Sequence, residues 1–307
     1  MLASRDIAIA ICTTFVWALN VLLTKIALVE ISPISFNLLR MIVVLPLVVI
    51  FPLRLHQWRC IMPTALVWGV AHYAFLGLGI KAGAGVAMGG LLLQLNPLFA
   101  ALFAYLMLRE SPNKYHLIAF VPLCAGVFWG LYTAEKFCVC VGYLCMLVSA
   151  AFMGLGNVLL KRAMHDSREP LSPSSAIVAF APLTIGIHFT LAMSVDGWQE
   201  VVRNMKLLAR PTHTLIMLFA GWISMVGAMR AWSILVRRYS VADVSPYSLL
   251  IPCFTLAFAF LTGEKIGFNT FVSALLILLG LIISQMGHAF SRFVRGFFYI
   301  KRQHVLK

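Results

Sequence analysis

Acidic side chains are scarce in this chain, with ten Asp and Glu among 307 residues, and none falls in the middle of an apolar run. A carboxylate at membrane depth, the group that proton- and sodium-coupled carriers commonly use, is therefore not expected, and neither is strong recognition of cations. The seven cysteines offer no Cys-x-x-Cys pair and no His/Cys ligand spacing, so no metal site is read from them. Cys138 and Cys140 are the one close pair, read as apolar packing ahead of redox chemistry. Long polar segments are missing too. With 62% hydrophobic and 11% charged residues and a mean hydropathy of +0.95, the chain cannot hide its apolar surface inside one water-soluble globule.

What it has is apolar length. A hydrocarbon core of about 30 Å needs about 20 apolar residues per helix, and ten such runs occur: 6–27, 33–53, 61–80, 84–108, 115–134, 141–161, 174–194, 214–235, 241–262 and 268–290. The fold class expected is an all-α polytopic membrane protein of ten transmembrane helices. The net charge of +14 is spread over short loops and the tail from Arg292 to Lys307 rather than gathered in one stripe, which argues against a nucleic-acid partner. Alternating the loops places 15 of the 24 Lys and Arg on the side of the two termini and seven on the other. By the positive-inside rule both termini are cytoplasmic. The first run is too long for a signal core and carries Trp17, Asn20 and Lys25, so it is expected to stay in the mature protein.

The chain also repeats itself. Asn20 to Leu23 before Thr24-Lys25 is matched by Asn157 to Leu160 before Lys161-Arg162. The stretch Val86 to Leu95 with Pro97 and Glu110 is matched by Val241 to Ile251 with Pro252 and Glu264. One insertion, Asp196 to His213, separates the two offsets; its apolar residues recur at helical spacing, as in a helix lying on the outer membrane face. The units expected are 1–137 and 138–290, five spans each, followed by a basic cytoplasmic tail, 291–307. Five spans per unit force the second unit in upside down, and inverted units can alternate access to a site near the midplane. The basic residues behind the two asparagines are then expected as interfacial anchors at opposite membrane faces.

On Trp17-Ala18-Leu19-Asn20 leading to Lys25, on Arg40, on Pro97 with Glu110 and on their second-half counterparts, the chain resembles the EamA-type members of the drug/metabolite transporter superfamily. The stretch Val241 to Pro252 with Gly263-Glu264 is most similar to bacterial amino-acid-metabolite exporters of the cysteine and O-acetylserine type. The resemblance implies a bacterial inner-membrane exporter whose central cavity is lined by spans 1, 3, 4, 6, 8 and 9, with spans 5 and 10 peripheral. The chain departs from the pattern at Phe152-Met153-Gly154, where a Trp-small pair is usual, and at Arg230.

Polar residues at membrane depth face a cavity or one another. The candidate substrate-binding residues are Trp17, Asn20, Arg40, His72, Tyr73, Gln94, Asn157, Trp222, Tyr247 and Ser248. The asparagines fit a cavity or an interhelical hydrogen bond. Arg40, roughly 12 Å deep at about 1.5 Å per residue, fits a substrate carboxylate or a structural anchor, and His72 a proton relay or a plain hydrogen bond. Pro97, Pro246 and Pro252 are expected bends or gates, because each removes a backbone donor. No catalytic residue, metal or cofactor is implied, and transport is expected to be uncoupled or weakly proton-linked. The expected partners are a small-molecule substrate and the bilayer, with the protein a monomer or homodimer. A multidrug or aromatic-compound exporter is the alternative. A membrane enzyme on lipid-like substrates would need a cluster of acid, His or metal ligands that the sequence does not offer.

Overall fold

A computed structural model describes residues 3–109, 114–134, 136–166, 171–239, 244–264 and 266–284. Glu110, Val241 to Asp243, the end of the last expected span and the tail 291–307 lie outside the described residues. Among the described residues every regular element is a helix. In chain order these are α1 (Ser4–Ala27), α2 (Pro33–Val48), α3 (Leu55–Lys81), α4 (Val86–Leu108), α5 (Tyr115–Tyr132), α6 (Phe137–Met164), α7 (Pro173–Val195), α8 (Trp198–Leu207), α9 (Pro211–Arg238), α10 (Pro246–Leu261) and α11 (Phe268–Ser284).

Seven of them, α1, α3, α4, α5, α6, α7 and α9, are long and apolar enough to cross a membrane, so the protein is a polytopic helical membrane protein. Of the other three apolar helices, α2 and α10 are shorter than the expected spans and each carries a 3₁₀ turn at a proline. Pro46 tightens the end of α2 into a 3₁₀ turn over Leu45–Val48, and Pro246 does the same at the start of α10 over Ser245–Leu249. α11 is described only as far as Ser284. The insertion between α7 and α9 is helical as expected: α8 buries Val201, Asn204 and Leu207 and exposes Trp198.

The lipid side is apolar, with Phe120, Phe128, Phe260 and Leu261 each more than half exposed. Inside, the core is built around α4, where Val86, Leu91 and Leu92 pack with Met146 and Ala150 of α6. A second cluster joins Met41 of α2, Trp68 of α3 and Phe180 of α7. Without a hydrophobic drive between helices in lipid, close approach depends on small residues. Gly154 shows this: a Cβ there would lie 2.7 Å from both Ala100 N and Asn96 O, so α6 crosses α4 in near backbone contact.

Two helices depart from α geometry in the same way. α3 passes through a π-helical stretch at Ala65–His72, and α9 through one at Phe219–Ala228. Such widened turns rotate the remainder of the helix and leave carbonyls without their usual donors. His188 of α7 lies against the first of these stretches, its Nε2 3.0 Å from Gly69 O.

Candidate functional site

α4 is two helices, Val86–Leu93 and Asn96–Leu108, separated by a turn at Gln94 and Leu95. Pro97 causes the break, because it has no N–H to give to the carbonyl of Leu93 four residues back. Asn96 Nδ2 donates to that carbonyl instead, at 2.9 Å, and Asn157 Nδ2 of α6 reaches Asn96 Oδ1 at 3.5 Å. Pro252 withdraws a donor from Ser248 O in the same manner. There the replacement comes from another helix, Gln94 Nε2 donating at 3.0 Å. The two proline-freed carbonyls are thus satisfied by side-chain amides, as backbone at membrane depth requires.

Both breaks open onto one cavity of about 730 Å³. Of the residues singled out from sequence, Trp17, Asn20, His72, Tyr73, Gln94, Asn157, Ser248 and Pro97 line it. Trp17 lies 5.3 Å from Trp232 of α9, the two indoles forming one side of the chamber. His72 is held by Ser149 of α6, whose carbonyl is 3.0 Å from Nδ1 and whose hydroxyl donates to His72 O at 2.9 Å. Asn20 Oδ1 is buried with no hydrogen-bond donor.

The remaining candidates lie elsewhere. Arg40 sits behind the wall, 1% exposed, with its guanidinium 4.3 Å from the centroid of Tyr73 and 4.9 Å from that of Phe36. Its Nε and Nη2 have no hydrogen-bond partner, and no described acid pairs with it. Trp222 turns away from the cavity: it is 43% exposed and donates to Val43 O at 2.5 Å. Tyr247, Pro246 and Pro252 are absent from the lining; Pro252 is buried behind Ser248 and Ile251 in the first turn of the α-helical part of α10.

Sequence reasoning overlooks Trp68, Phe180, Trp232 and Lys161 as cavity residues, and all four line it. Trp68 is within reach of the sequence, because it precedes Trp222 by the same spacing as the matched prolines, give or take one residue. Lys161, expected as an interfacial anchor, lines the cavity, and its helix continues past the expected end of the span at 161. Phe180 adds α7 to the helices that the resemblance implies, and His116 of α5 and Ser284 of α11 reach the lining from the two spans expected to be peripheral.

No Asp or Glu lines the cavity among the described residues. One acid is buried although it lies at a helix end. Asp6 is buried, 3% exposed, where Arg238 Nη1 donates to it at 2.9 Å and the Tyr239 hydroxyl at 2.6 Å. It sits at a helix end and its partners are over 230 residues away, which hides the burial from sequence.

The two ends of the helix bundle differ. Along the chamber, the lining residues stop at Val21, Leu76 and Gly90 on one side and continue to Ala104, His116, Lys161 and Ser284 on the other. The near end is tied shut. Lys25 Nζ contacts Glu264 Oε2 at 2.7 Å, and the same oxygen accepts from Val86 N at 3.0 Å, capping the first turn of α4. At that end too, Ser35 Oγ donates to Asp196 at 2.7 Å and Arg210 pairs with Glu30 at 2.7 Å.

Comparison with known proteins agrees with this architecture. The chain is 24% identical to a probable amino-acid metabolite efflux pump of Escherichia coli K12, over 93% of this chain and 96% of that one. It is 25% identical to a protein of the same description from Salmonella typhimurium, over 96% and 99%. An uncharacterized transporter of Bacillus subtilis is 22% identical over 92% and 96%. A solved structure at 17% identity shares the fold, with a TM-score of 0.59 over 92% of this chain and 98% of that one. The model of the EamA-like transporter family matches residues 5–132 and again 141–286. This protein is a multi-pass membrane transporter and belongs to the EamA-like transporter family.

Proposed function

We propose that the protein exports small amino-acid-like metabolites across the bacterial inner membrane by alternating access. The moving parts are two inverted five-helix halves, 1–137 and 138–290, with both termini cytoplasmic. The observation that carries this reading is the chamber itself: residues at the two proline breaks line one space, their freed carbonyls are held by side-chain amides, and no carboxylate is among the described lining residues. A helix-breaking proline at membrane depth is tolerated where irregular backbone lines a cavity. The seven long and three shorter apolar helices fit ten spans, and the paired π stretches and prolines fit a repeat.

In this orientation the Lys161 end faces the cytoplasm, and the conformation is open inward and held shut outside by the Lys25–Glu264 pair. Arg40 behind Tyr73, with no described acid paired to it, puts a positive charge beside the chamber. It therefore favours zwitterions and anions over cations. Trp17, Asn20, Tyr73, Gln94, Asn157 and Ser248 contact the substrate. With no membrane-depth carboxylate among the described residues to carry a proton, efflux runs down the metabolite gradient. His72 is the residue placed to alter that.

The test is metabolite profiling of cells overexpressing the protein. Extracellular accumulation of an amino acid or its acetyl derivative, lost in Asn20→Ala, is the expected result, and no change in any exported metabolite would overturn the reading. In proteoliposomes, uphill uptake driven by an imposed pH gradient and abolished in His72→Ala would replace uncoupled efflux with proton coupling. A second reading, export of bulkier aromatic compounds, is favoured by the Trp17, Trp68, Phe180 and Trp232 lining. It predicts that aromatic solutes compete with amino acids for efflux.

A further inference from the structure

α5 is gripped on one side and stands off on the other. Toward α11 it is in near backbone contact: a Cβ on Gly126 would lie 2.9 Å from Ser273 O, one on Gly280 would lie 3.0 Å from Ala119 O, and Ser273 Oγ donates to Gly126 O at 2.6 Å. Toward α4 there is a groove of about 630 Å³. The half-buried Leu98, Phe99, Val127 and Leu147 form its inner walls, and the exposed Leu102, Phe120 and Phe128 its lip. No Asp, Glu, Lys or Arg lines it among the described residues. It borders the transport chamber, since Ala101 and His116, both half-buried, line the two spaces.

We propose that one acyl chain of a bilayer phospholipid occupies this groove and completes the chamber wall between α4 and α5. Its dimensions select the occupant. On α5 the lining runs from His116 to Leu131, about 22 Å at about 1.5 Å per residue, along a helix long enough to cross the membrane. One leaflet supplies about half of a hydrocarbon core of about 30 Å, so a chain lying parallel to its neighbours in the bilayer fits within that length. Spread over about 22 Å, the volume gives a mean cross-section of about 29 Å². A helix with its side chains is about 10–12 Å across, too wide to enter, which argues against a second copy of the protein or a helical segment of this one.

Water is a poor occupant. Among the lining residues only Tyr105, His116 and Cys124 carry a polar side-chain atom, whereas a buried water needs several polar partners. An empty groove would forfeit dispersion contacts along both helices, with hydrocarbon already at its lip. Entry exchanges one apolar surrounding for another, so the hydrophobic effect adds little and contact with the walls is what retains the chain. The boundary of the chamber at Ala101 and His116 is then lipid. This inference rests on the membrane fold and not on which metabolite is exported.

The test is photolabelling of the full chain in phosphatidylethanolamine vesicles doped with the same lipid carrying an aliphatic diazirine, placed mid-chain or near the chain end, with adducts mapped by mass spectrometry. Leu98, Val127 and His116 are expected to be labelled along with Phe260, a lipid-exposed residue of α10 outside the groove. Leu98→Trp puts an indole into the groove. Loss of the Val127 and His116 adducts, with Phe260 labelling retained, is the expected result. Val127→Trp fills the groove from the opposite helix and should remove the adducts at Leu98 and His116, so the test survives if one variant fails to fold.

Wild-type adducts confined to Leu102, Phe120, Phe128 and Phe260 would mean that lipid stops at the lip, and would overturn the proposal. Undiminished Val127 labelling in folded Leu98→Trp would overturn it as well. Adducts at Leu98 and Val127 that appear only after removal of residues 291–307 would assign the groove to the tail instead of lipid. Labelling of Leu98 and Val127 with none at Ala101 or His116, whichever diazirine position is used, would overturn the part given to the chain in the chamber wall.

Discussion

The two proline breaks, in α4 and α10, meet the same physical problem and are closed differently. Pro97 and Pro252 each deprive a carbonyl four residues back of its donor. In α4 the donor comes from the residue just before the proline, Asn96. In α10 it comes from Gln94, on a different helix. At the positions of Gln94 and Asn96 the second half has Leu249 and Ile251, neither of which carries an amide to close its own break. One half supplies both amides. A similar divergence separates the two π-bearing helices, where Trp68 is buried in the cavity wall and Trp222 faces lipid. Matched backbone geometry therefore coexists with unmatched side chains, and the working surface of the chamber is drawn unequally from the two halves.

The largest difference between the halves is expected at the tryptophans. Trp68→Ala empties a buried site against Phe180 and Gly156 and should destabilise the detergent-solubilised protein by about 3–5 kcal/mol, the range for large-to-small aromatic changes in a core. Thermal unfolding monitored by intrinsic fluorescence measures it. A loss under about 1 kcal/mol would mean that the Trp68 pocket collapses without strain.

Gln94→Leu comes next. It removes the amide donor from Ser248 O, at a cost of about 1–3 kcal/mol, and with it the link between α4 and α10. Asn96→Leu should cost a comparable amount without loosening that link. Spin labels at the lipid-exposed positions Leu102 and Phe260 distinguish the two: the distance distribution should broaden in Gln94→Leu and stay narrow in Asn96→Leu. Equal broadening in both would show that the two breaks are closed as one unit.

At the tied end, Glu264 has two tasks and Lys25 one. Glu264→Ala removes the ion pair and the cap on Val86, and should lower stability by about 1–2 kcal/mol. Lys25→Ala removes only a partly exposed pair, 40% and 19% exposed at the two side chains, worth at most about 1 kcal/mol. Melting temperatures falling in the order wild type, Lys25→Ala, Glu264→Ala are expected. Coincident melting of the two variants would mean that the cap contributes nothing.

Much of the architecture is legible in sequence, and the misplacements have a common cause. Hydropathy length finds helices because a bilayer demands about 20 apolar residues per crossing, and the prolines announce breaks because the missing N–H is a property of the residue itself. Which way a helix faces is another matter. The π stretches at Ala65–His72 and Phe219–Ala228 have no residue signature, yet each shifts the rotation of the downstream turns. Sequence patterning consequently puts Trp222 in the cavity and overlooks Trp232. Arg40 is readable as a buried cation, whereas its position behind Tyr73 depends on the packing of α2 against α3. The burial of Asp6 is hidden because its partners, Arg238 and Tyr239, come from the far end of the chain.

The smallest effect belongs to Trp222, and it is informative for being small. Its ring is exposed on the lipid side, and lipid chains are as apolar as the side chains that would replace it. Trp222→Leu removes one specific interaction, the Nε1 hydrogen bond to Val43 O, a net contribution of about 0.5–1.5 kcal/mol. A residue within the chamber would change efflux when truncated; a residue on the lipid face should change only melting. Trp222→Leu is therefore expected to export at the wild-type rate while unfolding at a slightly lower temperature. Loss of export with an unchanged melting temperature would mean that α9 rotates during the cycle and brings Trp222 into the chamber, making Trp222 and Trp68 alternate occupants of equivalent positions.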